Sequence, residues 1–137
     1  MLRRLVLPLV LLSVAIACGS DSSGPVAVSV VGLFQLKTVN GTPLPATISS
    51  SLNSHTDLTA DQLSVNADGT WSETSSFRIV SGATTTTTQG ASIGVYQAAN
   101  GQISFTETTP TPGTFSASVN GNTLTAIVTG VTLVYQR

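Results

Sequence analysis

The sequence predicts an all-β domain, an antiparallel up-and-down meander that closes into a small barrel. Three observations predict it. The first is composition: 21 Thr and 18 Ser stand among 137 residues, and only 8% of the chain is charged. β-Branched side chains are stiff at χ1 and pack well on a pleated surface, so Thr, Val and Ile together favour strands over helices. The second is periodicity. From Val26 onward no segment sustains the i, i+3, i+4 apolar spacing of a helix; apolar residues alternate with Ser and Thr instead, as in a sheet with one buried and one wet face. The third is punctuation. Asn40-Gly41, Asn66-Ala67-Asp68-Gly69, Asn100-Gly101 and Asn120-Gly121-Asn122 are hairpin signals, because Asn and Gly tolerate the positive φ that tight hairpin turns require.

In chain order, the first segment reads as an export signal. Met1-Leu2-Arg3-Arg4 is a short basic stretch, and residues 5–16 form an apolar run of 12. At 1.5 Å per residue such a helix spans about 18 Å, well short of the ~30 Å hydrocarbon core, so it is expected to be a leader and not a membrane span. Val14-Ala15-Ile16-Ala17-Cys18 follows. This resembles the lipobox of bacterial lipoproteins, with Ala15 where Leu is more usual. The resemblance implies cleavage before Cys18 and diacylation of its sulfur. Ala15-Ile16-Ala17 also fits the small-x-small site of ordinary signal cleavage, which would leave Cys18 as a lone exported thiol. An odd Cys is a liability in an oxidising compartment, so lipid attachment explains its position better. The resulting organisation is a lipoprotein signal peptide at 1–17, a polar tether at 18–27 and one β domain at 28–137. The resemblance also implies localisation: Gly19, where an Asp would retain a lipoprotein in the inner membrane, points to the outer membrane of the cell envelope.

Weaker breaks at 49–56, Ser81-Gly82, 109–113 and Thr129-Gly130 complete eight breaks and nine runs, with residues 83–98 able to split near Gln89-Gly90. Inward faces are expected from Phe34 and Leu36 (then Thr38), Leu63 and Val65, and Trp71 with Phe77 and Ile79. Ile103 with Phe105, Phe115 with Ala117 and Val119, and Leu124 with Ala126 and Val128 continue the series. A short helical turn is allowed at 58–63. A β-sandwich is the alternative, but a Greek key needs a long crossing connection, and only 49–56 offers one. Nine or so short strands suit an eight-stranded barrel, whose interior is just wide enough to be filled by side chains or to hold one small ligand.

Gly32-Leu33-Phe34-Gln35-Leu36, Thr38-Val39-Asn40-Gly41-Thr42-Pro43-Leu44-Pro45, the stretch from Leu63 to Trp71, Gly94-Val95-Tyr96 and Val134-Tyr135-Gln136-Arg137 resemble small lipocalin-like envelope domains. In lipocalins a Gly-x-Trp on the first strand is covered by an Arg from the last. The resemblance implies a structural cap made by Gly32, Phe34 (in the Trp position) and Arg137.

Several chemistries are disfavoured. One Cys excludes a disulfide framework, and one Cys with one His is too few ligands for a zinc site. Past the leader, Lys37, Arg78 and Arg137 stand against six acidic residues, a net charge of −3, so nucleic acid is not an expected partner. Gly90-Ala91-Ser92-Ile93-Gly94 matches a nucleophile-elbow pattern but has no His after it and no helix signal beside it. His55, near Asp57 and Asp61, reads as a loop residue. Asn66-Ala67-Asp68-Gly69 reads as a turn and not a calcium loop, because Ser64 and Ser75 occupy the first-ligand and closing-Glu positions. The 84–88 run of five Thr suits a solvated edge strand.

No catalytic residue, metal or cofactor is therefore expected. The reading is a non-catalytic lipoprotein domain with a structural or interaction role, its partner the membrane through the lipid on Cys18. The alternative is a carrier of a small apolar ligand in the barrel, lined by Phe34, Leu36, Trp71, Glu73, Phe77 and Phe105. Glu73 shares a face with Trp71 and Phe77 and must find a partner, with Arg78 and Arg137 as candidates, or stay wet, since a buried unpaired charge is costly. The oligomeric state is not legible.

Overall fold

The computed structural model describes residues 29–137; the leader, Cys18 and the tether lie outside the described residues. The described chain is strands and turns. In order they are β1 (Gly32–Val39), β2 (Thr42–Pro43), β3 (Ala46–Ser51), β4 (Ser54–Val65), β5 (Thr70–Ser81), β6 (Thr84–Ala99), β7 (Gln102–Thr109), β8 (Gly113–Asn120), β9 (Thr123–Val128) and β10 (Val131–Gln136). β4 through β10 form a continuous antiparallel meander, β10 pairs with β1, and β1 pairs with β4, closing an eight-stranded barrel. β2 and β3 are two additional short strands, on β1 and β4 respectively.

Closure abolishes the open edges of the eight barrel strands over their shared length. The seam between β1 and β4 is short, running from Gly32 opposite Val65 to Gln35 opposite Gln62. Beyond it the two strands part: Thr38 and Val39 turn to β2, and Leu58 turns to β3. Four elements differ from the sequence expectation here. Residues 58–63 are not a helical turn but the middle of β4, with a register shift between Leu58 and Ala60 that adds a residue to the strand. The 49–56 segment is no long connection; β3 and β4 are joined at Leu52 and Asn53. Strand β6 runs 16 residues without splitting at Gln89-Gly90. A second register shift between Leu36 and Thr38 brings Val39 to the inward face, where strict alternation predicts Thr38.

Side chains from every barrel strand meet inside. Phe34, Leu63, Val65, Trp71, Phe105, Leu124 and Tyr135 are each at most 1% exposed, and Tyr96 of β6 packs against them. The Trp71 ring meets Phe105 and Phe115 edge-on, both at 5.5 Å between centroids, while Phe105 and Phe115 stack at 4.7 Å. Such pairs add about 0.5–1.5 kcal/mol each beyond area burial. The indole N–H donates to the Val95 carbonyl at 3.1 Å. Gly94 makes this fit possible: a Cβ there would run into the Thr106 carbonyl and the Trp71 indole nitrogen.

The meander gives the barrel two unlike ends. The base carries the Asn66–Gly69, Asn100-Gly101 and Gly121-Asn122 turns together with the last residue, Arg137. The other end carries a lip, where β3, β4, β5 and β6 run on past the core.

Candidate functional site

The base is tied by Arg137. Its guanidinium lies over the Phe34 ring, 5.1 Å from the centroid. The same group donates to the carbonyls of Val31 (2.8 Å), Ser29 (3.0 Å) and Gly121 (2.9 Å). A Cβ on Gly32 would lie 3.2 Å from an Arg137 nitrogen, so the glycine leaves the room the arginine occupies. One cation thus joins the start of β1, the end of β10 and the β8–β9 turn.

The chemistry lies higher, beneath the point where β1 and β4 separate. There a cleft of about 450 Å³ opens, lined in part by Gln35, Leu36, Leu44, Asp61, Gln62 and Thr74. Below it three polar side chains project inward. Asp61 of β4 stands opposite Ser75 of β5, and Leu63 opposite Glu73, so Asp61 and Glu73 share the interior face one step apart. Tyr135 enters from β10, across the barrel. Its hydroxyl donates to Glu73 Oε1 at 2.9 Å, and the Ser75 hydroxyl donates to Asp61 Oδ2 at 2.6 Å.

Two carboxyls so close, both out of water, do not both ionise readily. Burial first, and then the charge of Asp61, push the Glu73 carboxyl up to about 7. Burial likewise raises Asp61, against the opposing effect of the Ser75 and Tyr135 hydroxyls and of Glu73. Burial and both acids raise the Tyr135 phenol far above its ordinary range. Asp61 Oδ1 is buried and has no hydrogen-bond partner among the described residues. The two acids also act on each other: Asp61 pushes Glu73 up, and Glu73 opposes the rise of Asp61. The arrangement is a buried carboxyl pair in which each acid accepts from one hydroxyl.

Glu73 therefore does not pair with either arginine named as a candidate. Arg78 lies on the outer face and holds Asp57, its Nε and Nη2 at 3.1 and 2.7 Å from Oδ2, while Thr47 donates to Oδ1 at 2.7 Å. These contacts hold the Asp57 carboxyl below its usual range, the Arg78 bond foremost. His55 sits on β4 with Nε2 3.6 Å from Asp57.

Of the other residues singled out from sequence, Phe34, Trp71 and Phe105 pack in the core and Phe77 is half-buried against it. Leu36 is buried yet borders the seam cleft. Ser92 lies within extended β6, opposite Glu73 in register, and not on a strand-to-helix elbow. The glycines flanking it serve packing: Gly94 accommodates Trp71, and a Cβ on Gly90 would approach the Phe77 ring at 3.2 Å. Asn66-Ala67-Asp68-Gly69 is a turn, closed by Asn66 N–H to the Thr70 carbonyl at 2.9 Å and by Asp68 Oδ1 accepting from Thr70. Among the described residues no three His, Cys, Asp or Glu side chains converge as metal ligands. Sequence reasoning missed Asp61 and Tyr135 as partners of Glu73. The signal for Asp61 was faint: two residues before Leu63, it shares that strand's inward parity.

The barrel is compatible with a lipocalin-like fold. No protein-family model matches the chain, and no curated protein and no solved structure is significantly similar to it.

Proposed function

We propose that this chain is an exported lipoprotein, anchored through a diacylated Cys18 in the outer membrane of a bacterial envelope, whose barrel is a non-catalytic domain with a structural or interaction role. The observation that carries the second half is how the interior is occupied. Phe34, Trp71, Phe105 and Tyr135 meet across the barrel with at most 1% exposure each, as in a close-packed core. Each interior acid accepts from a hydroxyl of the protein itself, Asp61 from Ser75 and Glu73 from Tyr135. The first half rests on Val14-Ala15-Ile16-Ala17-Cys18. Two acyl chains suffice for stable anchoring where one does not.

A second reading, carriage of a small apolar ligand, draws on the seam cleft, where Leu36 and Leu44 supply apolar wall. Two experiments separate the parts. Radiolabelled palmitate is expected to enter the wild-type chain and to be absent from Cys18→Ser; labelling that persists in that variant ends the lipoprotein reading. Native mass spectrometry of the protein from its own envelope is expected to show the polypeptide without a reproducible bound molecule. A constant extra mass, lost on Leu36→Trp, transfers the argument to the ligand reading.

A further inference from the structure

The barrel closes at its base but not along its whole height. Strand β6 pairs with β5 through all of residues 84–95, yet its pairing with β7 begins only at Ile93, opposite Thr109. Pro110 and Pro112 follow at once, and proline cannot extend a ladder by donating an N–H. Residues 84–92 of β6 are therefore an edge. At ~3.3 Å per residue that edge is about 30 Å long.

Natural sheets guard such edges with charge, proline, a bulge or shortness. The other two free edges among the described residues are guarded. β2 has two residues, and β3 has six with a register shift between Thr47 and Ser49 and Pro45 just before it. The β6 edge has none of these devices. Its sequence is Thr84-Thr85-Thr86-Thr87-Thr88-Gln89-Gly90-Ala91-Ser92, without charge or proline, and its register with β5 is unbroken. Residues 84–89 are exposed on both faces of the strand.

We propose that residues 84–92 form a self-association edge, on which a second copy of this chain lays its own β6 antiparallel about a two-fold axis through Thr88. The composition selects the partner. Antiparallel self-pairing sets Thr84 opposite Ser92, Thr85 opposite Ala91 and Thr88 opposite its own copy, so no like charges meet, and Thr–Thr and Thr–Ser pairs across strands attract. A charged peptide would find no complementary group along this edge. The contact is isologous and closes at two copies, joining two four-stranded lips into one eight-stranded sheet. Pairing β6 of one copy with the guarded β3 of another would instead propagate without closure.

The test uses the full chain carrying Cys18→Ser, in detergent, so that every cysteine present is an introduced one. Sedimentation equilibrium is expected to show a reversible dimer. Thr88→Cys is expected to cross-link on mild oxidation, while Ser50→Cys on the β3 edge stays uncross-linked. Thr88→Lys places two ammonium groups across the axis and weakens the dimer at least about tenfold, with thermal unfolding unchanged. Mixing Thr88→Lys with Thr88→Asp restores a dimer containing one of each. Association common to all variants, from the leader or the micelle, cancels in these comparisons. A monomer at every concentration, or a dimer indifferent to Thr88→Lys and cross-linked through Ser50, overturns the proposal.

Discussion

The base and the lip of this barrel are made of the same strands and held by different forces. At the base, β4, β5 and β6 bury Leu63, Val65 and Trp71 and pack Tyr96 against the core, and Arg137 ties three backbone carbonyls over Phe34. At the lip, the same strands continue as residues 54–57, 78–81 and 84–89, where Ile79 is 37% exposed and Leu52, at the β3–β4 turn, is 97% exposed. Ladder hydrogen bonds persist there, together with the outer-face cluster of Thr47, Asp57 and Arg78. A strand can thus extend past its core on backbone pairing and a few polar side-chain contacts, with little apolar burial to support it. The lip is expected to open locally at lower free energy than the base.

Truncating the centre of the base tests this contrast most severely. Trp71→Ala is expected to cost about 3–5 kcal/mol by chemical denaturation, from lost burial and the cavity left behind; a cost near that of a surface change would mean that the aromatic cluster does not hold the barrel shut. Next is the carboxyl pair, which lies between the two regions. Glu73 goes from an ordinary 4.5 to about 7 in the folded state. Its stabilising share is whole below pH 4.5 and disappears as pH rises through about 7. A tenfold change in proton affinity is worth roughly 1.4 kcal/mol, so that share is on the order of 3 kcal/mol. Asp61, also raised, acts in the same direction. Asp57 and Asp68 are lowered from 3.8 and act oppositely, their share being lost as pH falls below that value. Stability is expected to peak between about pH 4 and 5, and Glu73→Gln to flatten the decline toward pH 8; a wild-type melting temperature that climbs from pH 5 to 8 contradicts the raised Glu73 carboxyl.

Arg137→Ala removes the cation over Phe34 and three donors to backbone carbonyls, for an expected loss of about 1–2 kcal/mol. Hydrogen exchange should show that loss at the β1–β10 pairing and not at the lip. Smallest of all, Leu52→Ser at the lip is expected to shift stability by less than about 0.5 kcal/mol; a larger loss would show that the exposed turn is covered by something in solution.

How much of this was legible in the residues differs from place to place. Strand identity was, because Thr, Val and Ile alternation is a local property and the Asn-Gly turns mark its ends. The two departures on β1 and β4 were not. A register shift at Leu36–Thr38 or Leu58–Ala60 depends on how each strand meets its neighbour, and a run such as Leu58-Thr59-Ala60-Asp61 carries apolar and polar residues at spacings that fit more than one backbone. Glu73 could be placed on the inward face from its parity with Trp71 and Phe77. Its partners could not, since Tyr135 is 62 residues away and meets Glu73 only once the barrel closes.

The all-β class, the hairpin positions and the low charge are already written in the residues, because each follows from short-range sterics and composition. Barrel closure alone set β1 against β4, brought Tyr135 to Glu73 and left β6 with an unpaired edge. Those outcomes depend on which distant strands become neighbours, and closure of a sheet is a property of the whole ring of strands and not of any one of them.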